Sequence, residues 1–325
     1  MSGPSVLVVG EVVADVVEQA DGTAVTHPGG SPANVAYGLA RLGVDARLLT
    51  QFGQDAEGQL IRRHLERAGV TIENRRPAGE AAFVTPTAFA RIDQSGAATY
   101  IFDIRWTLPH TLPETSPTHV HTGSIGALLE PGADSVEAIL RALRPTSTVS
   151  FDPNVRPHLL PDHQATLDRT LRLVALSDVV KVSDEDLAHL YPGVEPAVVA
   201  REWLMLGPAI VVITLGSAGA LALTHDGEVR VEPIRVSVAD TVGAGDAFMS
   251  TLLHGLAADG YLGSENRSAL HSMTTTSLAR IAQRAALAAA ITVSRPGASP
   301  PDQQELDDAN RLCSQGAQSL TGDHD

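Results

Sequence analysis

Residues 209–216 read AIVVITLG, apolar from end to end except for Thr214. A strand with one wet face alternates apolar and polar residues. A strand apolar almost throughout is covered on both faces, as in a parallel sheet with helices on either side. Around this run, short apolar segments alternate with helical patterns. VLVVG (6–10), ARLLTQFG (46–53), HVHTGS (119–124), TVSFDPN (148–154) and VVKVS (179–183) read as strands. PANVAYGLARL reads as a helix capped by Ser31, with Pro32 in its first turn and Gly43 as its stop. Asp55 caps a second helix, AEGQLIRRHLERA, which Gly69 ends. Further helices are predicted near 133–143, 162–176, 195–206, 244–259 and 276–293, and ALALTHDGEVRVEP reads as a hairpin. The alternation predicts an α/β fold: a doubly wound, mainly parallel sheet flanked by helices.

Two segments break the alternation. Residues 12–27 and 83–105 read as paired strands about turns at Asp21-Gly22 and Ser95-Gly96, with Phe89, Arg91, Tyr100 and Phe102 marking the two-residue period. A small β-sheet lid over the carboxyl ends of the main strands accounts for both. Edge hairpins are the other reading. Residues 1–301 are expected to form one α/β domain, and 302–325 to add a short helix and a frayed tail.

Composition narrows the function. The chain has 325 residues, 43% of them apolar, and no apolar run near the roughly 18 residues of a membrane span. The start, MSGPSVLVVGEVV, has no basic segment and reads as a first strand rather than a signal peptide. Cys313 is the single cysteine, so no internal disulfide or multi-cysteine metal site can form, and a cytoplasmic setting is expected. A net charge of −15 argues against nucleic acid or an anionic membrane as partner. Lys181 is the only lysine and follows Val180, which excludes a GxxxxGK[ST] phosphate loop. The twelve histidines show no metal-ligand spacing, and His119 and His121 read as strand residues facing one side.

Residues 240–250, DTVGAGDAFMS, place Gly243, Ala244 and Gly245 ahead of Asp246 at a helix start. Small residues let backbone amides approach a ligand, and a helix N-terminus favours an anion. Asp246 is then either an N-cap or a base that takes a hydroxyl proton beside a bound phosphoryl group.

Two motifs in this order, GGSPANVAYGLARLG and DTVGAGDAF, with FDPNVR, KVSDED and ITLGSAGA between them, resemble the PfkB (ribokinase-like) carbohydrate kinase family over residues 6–301. The resemblance implies an ATP-dependent kinase for a primary hydroxyl of a free monosaccharide. Fructose leads; 2-keto-3-deoxygluconate, ribose and nucleosides are the rivals. Outside the enzyme class stands a sugar- or nucleotide-binding regulator on the same fold.

It implies Asp246 as catalytic base and the amides of Gly243, Ala244 and Gly245 as an anion hole for the transferring phosphoryl. Arg156 would reach the phosphoryl or sugar, with Asp152 and Asn154 shaping its turn. Asp15, Gly29, Gly30 and Asn34 would grip the sugar, although Asn34 could be a local cap and Asp15 a strand end. Arg105 would touch the sugar from the lid or form a surface ion pair. Lys181, Ser183, Thr214, Gly216 and Gly219 would line the nucleotide site, the last three also suiting a plain strand–turn–strand. Ser183 and Asp186 replace the family's Asn-x-x-Glu, and Asp186 would order Mg²⁺ through water. A K⁺ site would use Asp240, Val242, Thr292, Arg295 and Gly297, with Pro301 where some members carry a Ser ligand. A homodimer joined through lid sheets is the expected assembly.

Overall fold

A computed structural model describes residues 3–18, 22–76, 83–92 and 98–321. In chain order the elements are β1 (Ser5–Val9), β2 (Val13–Glu18), β3 (Ala24–Gly29), α1 (Ser31–Arg41), β4 (Asp45–Thr50), α2 (Ala56–Arg67), β5 (Thr71–Asn74), β6 (Thr87–Ile92) and β7 (Ala98–Asp103). Then come β8 (His119–Gly123), α3 (Ser124–Leu128), α4 (Gly132–Leu143), β9 (Thr148–Asp152), α5 (His163–Leu176), β10 (Val179–Ser183), α6 (Asp184–Leu190) and α7 (Pro196–Leu204). The chain continues with β11 (Ile210–Thr214), β12 (Ala220–Thr224), β13 (Gly227–Val231), α8 (Ala244–Ala258), α9 (Arg267–His271), α10 (Thr275–Val293) and α11 (Gln303–Thr321).

Nine strands form the main sheet in the order β13-β12-β11-β10-β9-β8-β1-β4-β5. From β11 to β5 all neighbours are parallel; the hairpin β12–β13 adds an antiparallel edge. AIVVI (209–213) is buried as predicted and Thr214 and Leu215 are half-buried, with Ile210, Val212 and Val211, Ile213 feeding opposite hydrophobic clusters. Val6 and Val8 of β1 likewise face the cluster that holds Val35, Met249, Leu252 and Ile281, whereas Leu7 and Val9 face the one with Ile139, Leu173 and Trp203. Helices therefore cover both faces. The strand order reverses at β1 and β8, and α/β sheets bind ligands outside the carboxyl ends at such a point.

The second sheet is β3-β2-β6-β7. Both predicted hairpins lie in it, which settles the lid-or-edge question for a separate sheet. They join through a parallel β2–β6 contact, with Asp15 opposite Ala88. The turn residues Asp21, Ser95 and Gly96 lie outside the described residues. Where a short terminal helix is expected, α11 runs for 19 residues. It is tied down by Leu306 against Leu42 and Leu287, and by Glu305 to Arg41 and Arg295.

Asp55 caps α2 as predicted, accepting the Gly58 N–H at 2.8 Å. Ser31 does not cap α1. The N-cap is Gly30, and the Ser31 hydroxyl turns elsewhere. β5, α3, α6 and α9 are absent from the sequence reading, since each is too short to show a period. Among the described residues, no helix is long and apolar enough to cross a membrane.

Candidate active site

The N-terminus of α8 stands at the centre. Gly243 is its N-cap, at φ 78°, and a Cβ there would lie 2.6 Å from the Ala298 Cβ. Only glycine suits both the left-handed backbone and that approach. The amides of Gly245 and Asp246 have no acceptor among the described residues. They are the free donors that a first helical turn always leaves. That of Ala244, an expected member of the anion hole, donates to the Thr241 carbonyl at 3.4 Å and is not free.

Asp246 does not cap its own helix. Its Oδ1 accepts the Ser31 hydroxyl at 2.6 Å and its Oδ2 accepts the Asn34 amide at 2.8 Å. Both partners sit on the first turn of α1, so Asn34 is no local cap either. The carboxylate is buried, 7% exposed, and aimed by two donors from another helix. Ser31 is the site residue that sequence reading misses: its signal is the GGSPAN motif, but a Ser before a Pro-led helix looks like a cap.

Opposite stands Lys181. Its Nζ donates to Asp152 Oδ2 at 2.7 Å, both side chains being at most 5% exposed. A Cβ on Gly245 would come within 2.9 Å of that Nζ, so the ammonium abuts the glycine turn. Burial pushes the Asp152 carboxyl up to about 6; the lysine opposes this, while Asp186 and Asp246 add to it. Burial also works against the Lys181 charge, yet Asp152, Asp186 and Asp246 outweigh it and hold its pKa above the ordinary lysine value. Asp152 is thus more than the turn-shaping residue expected.

Ser183 and Asp186 form a capping box at α6. Asp186 Oδ2 accepts from the Ser183 hydroxyl at 2.7 Å and its Oδ1 from the Val155 N–H at 2.8 Å. Oδ2 also accepts the Ser183 N–H at 3.2 Å, so only Oδ1 keeps a further lone pair, which suits water-mediated rather than direct contact with a hard cation. Among the described residues no group of three His, Cys, Asp or Glu side chains is placed to hold a metal.

On the lid side, Asp15 lies against Gly29, where a Cβ would stand 2.1 Å from its Oδ2. Burial raises the Asp15 carboxyl to about 6, against the pull of His27 and Arg156. Gly30, at φ 99°, lets α1 start beside Glu11 and Val12. Arg156 is exposed and bonds back to Asn154 Oδ1 at 2.7 Å, Asn154 itself having φ 38°. Its charge also reaches Glu11, a buried carboxyl at the end of β1 that sequence reading passes over. Glu11 accepts the Gly126 N–H at 2.6 Å, and burial raises it to about 7. Arg105 follows β7 and lies over the Phe83 ring at 5.9 Å.

On the nucleotide side, Thr214 ends β11 next to Val182. Both glycines have a structural reason: Gly216, with open space around it, adopts φ 53°, and at φ 88° a Cβ on Gly219 would strike the Val231 carbonyl. The five residues of the implied K⁺ site come together. Asp240 Oδ1 accepts from Val242 N, its Oδ2 from Gly297 N, and the Asp240 amide donates to Val293 O. The Thr292 carbonyl accepts from Arg295 N, and Pro301 is buried.

The chain is 37% identical over 263 residues to a fructokinase of Klebsiella pneumoniae, covering 78% of this chain and 84% of that one. A fructokinase from Xylella fastidiosa with bound ATP superposes with a TM-score of 0.82 over 95% of this chain and 99% of its own; at 23% identity it shows the fold. A fructokinase from Vibrio cholerae O395, in a form with fructose, ADP and calcium ion bound, has a TM-score of 0.74 at 25% identity, covering 94% of this chain and 96% of its own. The model of the pfkB family carbohydrate kinases matches residues 4–305, and this chain belongs to that family.

Proposed function

We propose that the protein is an ATP-dependent fructokinase. The observation that carries this reading is Asp246, a buried carboxylate held by Ser31 and Asn34 at a helix N-terminus, with the Lys181 ammonium beside the glycine turn. In the reaction, a primary sugar hydroxyl gives its proton to Asp246 as its oxygen attacks the γ-phosphorus of ATP. The bond from that phosphorus to the bridging oxygen breaks, and ADP leaves. The free amides of the α8 first turn and Lys181 face the charge on the transferring group, so stabilisation is built in before the reaction starts. Bound Mg²⁺ would be held through water by Asp186 and would neutralise phosphate charge.

Asp15, Gly29, Gly30 and Asn34 border the sugar side, with Arg156 and the lid residue Arg105 reaching in. The charge of Arg156 acts on two buried carboxyls, Glu11 and Asp15. That balance favours a neutral ketose over a sugar acid such as 2-keto-3-deoxygluconate. Thr214 and Gly216 border the nucleotide side. The carbonyls around Asp240 and Gly297 would bind K⁺. A cytoplasmic homodimer completes the reading: ATP is made available there, and the lid exposes Val25 and Ile101 at 50% and 59%.

The test is ADP release from Mg-ATP, with KCl or NaCl, across fructose, 2-keto-3-deoxygluconate, ribose, other hexoses and nucleosides. kcat/KM for fructose should exceed that for every other acceptor. A preference for the sugar acid would overturn the fructose assignment, and ATP binding without turnover on any acceptor would overturn the kinase.

A further inference from the structure

Strand pairing puts His119 and His121 of β8 on the same sheet face as Val6 and Val8, beneath α8 and α10. There they belong to one line of hydrogen bonds. The Gly263 N–H donates to Thr148 Oγ1 at 3.1 Å, and Thr148 Oγ1 lies 2.8 Å from His119 Nδ1. His119 Nε2 lies 2.7 Å from Ser150 Oγ, which lies 2.9 Å from His121 Nδ1. All four side chains are fully buried. The line then stops, because His121 Nε2 has no partner.

A second buried atom without a partner lies one step toward the active site. His121 is aligned with Ser150, and Gly123 with Asp152. Asp152 gives Oδ2 to Lys181, while its Oδ1 has no partner. Gly123 contributes no side chain to either orphan.

We propose that the line is one directed chain, Gly263→Thr148→His119→Ser150→His121, which presents the His121 Nε2–H to Asp152 Oδ1 through one water and makes His121 a positioning residue for Lys181. Burial drives both imidazole pKa values down to about 3, so each ring is neutral, donating at one nitrogen and accepting at the other. Three arrangements make every bond. In the proposed one every group donates once and accepts once, and the chain ends in the donor that Asp152 lacks. In the other two, Thr148 or Ser150 accepts twice with its own hydrogen unplaced, and a lone pair on His121 meets another acceptor. Buried polar groups left unpaired in this way are strongly disfavoured. The final gap exceeds a direct hydrogen bond, which is where a bridging water serves.

The charged and titratable groups around Asp152 are Lys181, Asp186 and Asp246; around His121 they are His119 and Lys181. A carboxylate held at both oxygens cannot pivot, so the ammonium it carries stays against the glycine turn. This role rests on the kinase reading above, but the chain itself can be tested without turnover.

Nitrogen-detected NMR of the histidine rings reads the tautomers directly. Both His119 and His121 should carry the proton on Nε2; a proton on His121 Nδ1 would overturn the chain. The role is read by His121→Leu and His121→Gln, the second of which keeps a donor. The leucine variant should lose about tenfold in kcat, the scale of one hydrogen bond, with KM for ATP within about twofold. The glutamine variant should recover most of that loss. Equal losses in both variants overturn the positioning role. If the leucine variant does not fold, Ser150→Ala cuts the chain with both rings in place. It should mix the His121 tautomers and lower kcat, and unchanged values for both overturn the proposal. If the wild-type protein phosphorylates no sugar, the role falls with the function, while the tautomers still decide the chain.

Discussion

The Ser31 hydroxyl lies 2.6 Å from Asp246 Oδ1, a hydrogen bond between residues 215 apart in the chain. With Asn34 on the other oxygen, it fixes which way the carboxylate points. Hydrogen bonds to charged groups contribute about 1.5–3 kcal/mol, and about 1.4 kcal/mol is a factor of ten in rate. Ser31→Ala is therefore expected to lower kcat at least about tenfold while the ATP Kd stays within about twofold. Steady-state kinetics beside ATP titration checks this, and an unchanged kcat removes Ser31 from the site.

The two glycines ahead of Asp246 should fail differently. Gly243→Ala forces a Cβ into a left-handed backbone and onto Ala298. Strain of this kind costs about 1–3 kcal/mol, so the midpoint of denaturant unfolding should drop. Gly245→Val instead meets the end of the Lys181 side chain rather than backbone. Its unfolding midpoint should stay close to wild type while kcat collapses. Equal stability losses in the two variants would contradict the separation of fold and function drawn between these positions.

Asp15 gives the pH dependence. Its carboxyl is raised from 3.8 to about 6, chiefly by burial. Between those values the native state binds the proton that the unfolded state has released, so this group's contribution to stability falls as pH rises through that window. At pH 7 it is ionised at a desolvation cost. Asp15→Asn should then fold at least as stably as wild type at neutral pH and lose the stability change between pH 4 and 6. Its kcat/KM for the sugar should fall, because an amide accepts fewer hydroxyl protons than a carboxylate. In the wild type, kcat/KM for the sugar should rise as pH passes about 6. Thermal melts and kinetics across this range test both arms.

Much of the fold was legible in the chain. Periodicity and apolar runs mark most main-sheet strands and the longer helices, because burial on both faces leaves a signal in consecutive residues. The four short elements β5, α3, α6 and α9 carry no such signal. The parallel β2–β6 contact is equally silent, since neither hairpin encodes its neighbour. At the site, DTVGAGD shows the turn and the carboxylate, but not what holds the carboxylate. Ser31 has the local chemistry of a cap, and only a partner 215 residues away redirects it. Ser183 and Asp186 run the other way. Their spacing is that of a capping box, and the structure makes them one. His119 and His121 are legible as one face of a strand, yet their pairing with Ser150 needs the register of β8 on β9.

The most direct test of the account is kcat for the wild type and Asp246→Asn, measured alongside the ATP Kd of each. Losing a general base costs about 10²- to 10⁴-fold. For Asp246→Asn, kcat should fall in that range with the ATP Kd nearly unchanged. A variant that turns over at the wild-type rate would show that Asp246 is not the base, and the mechanism built around it would be wrong.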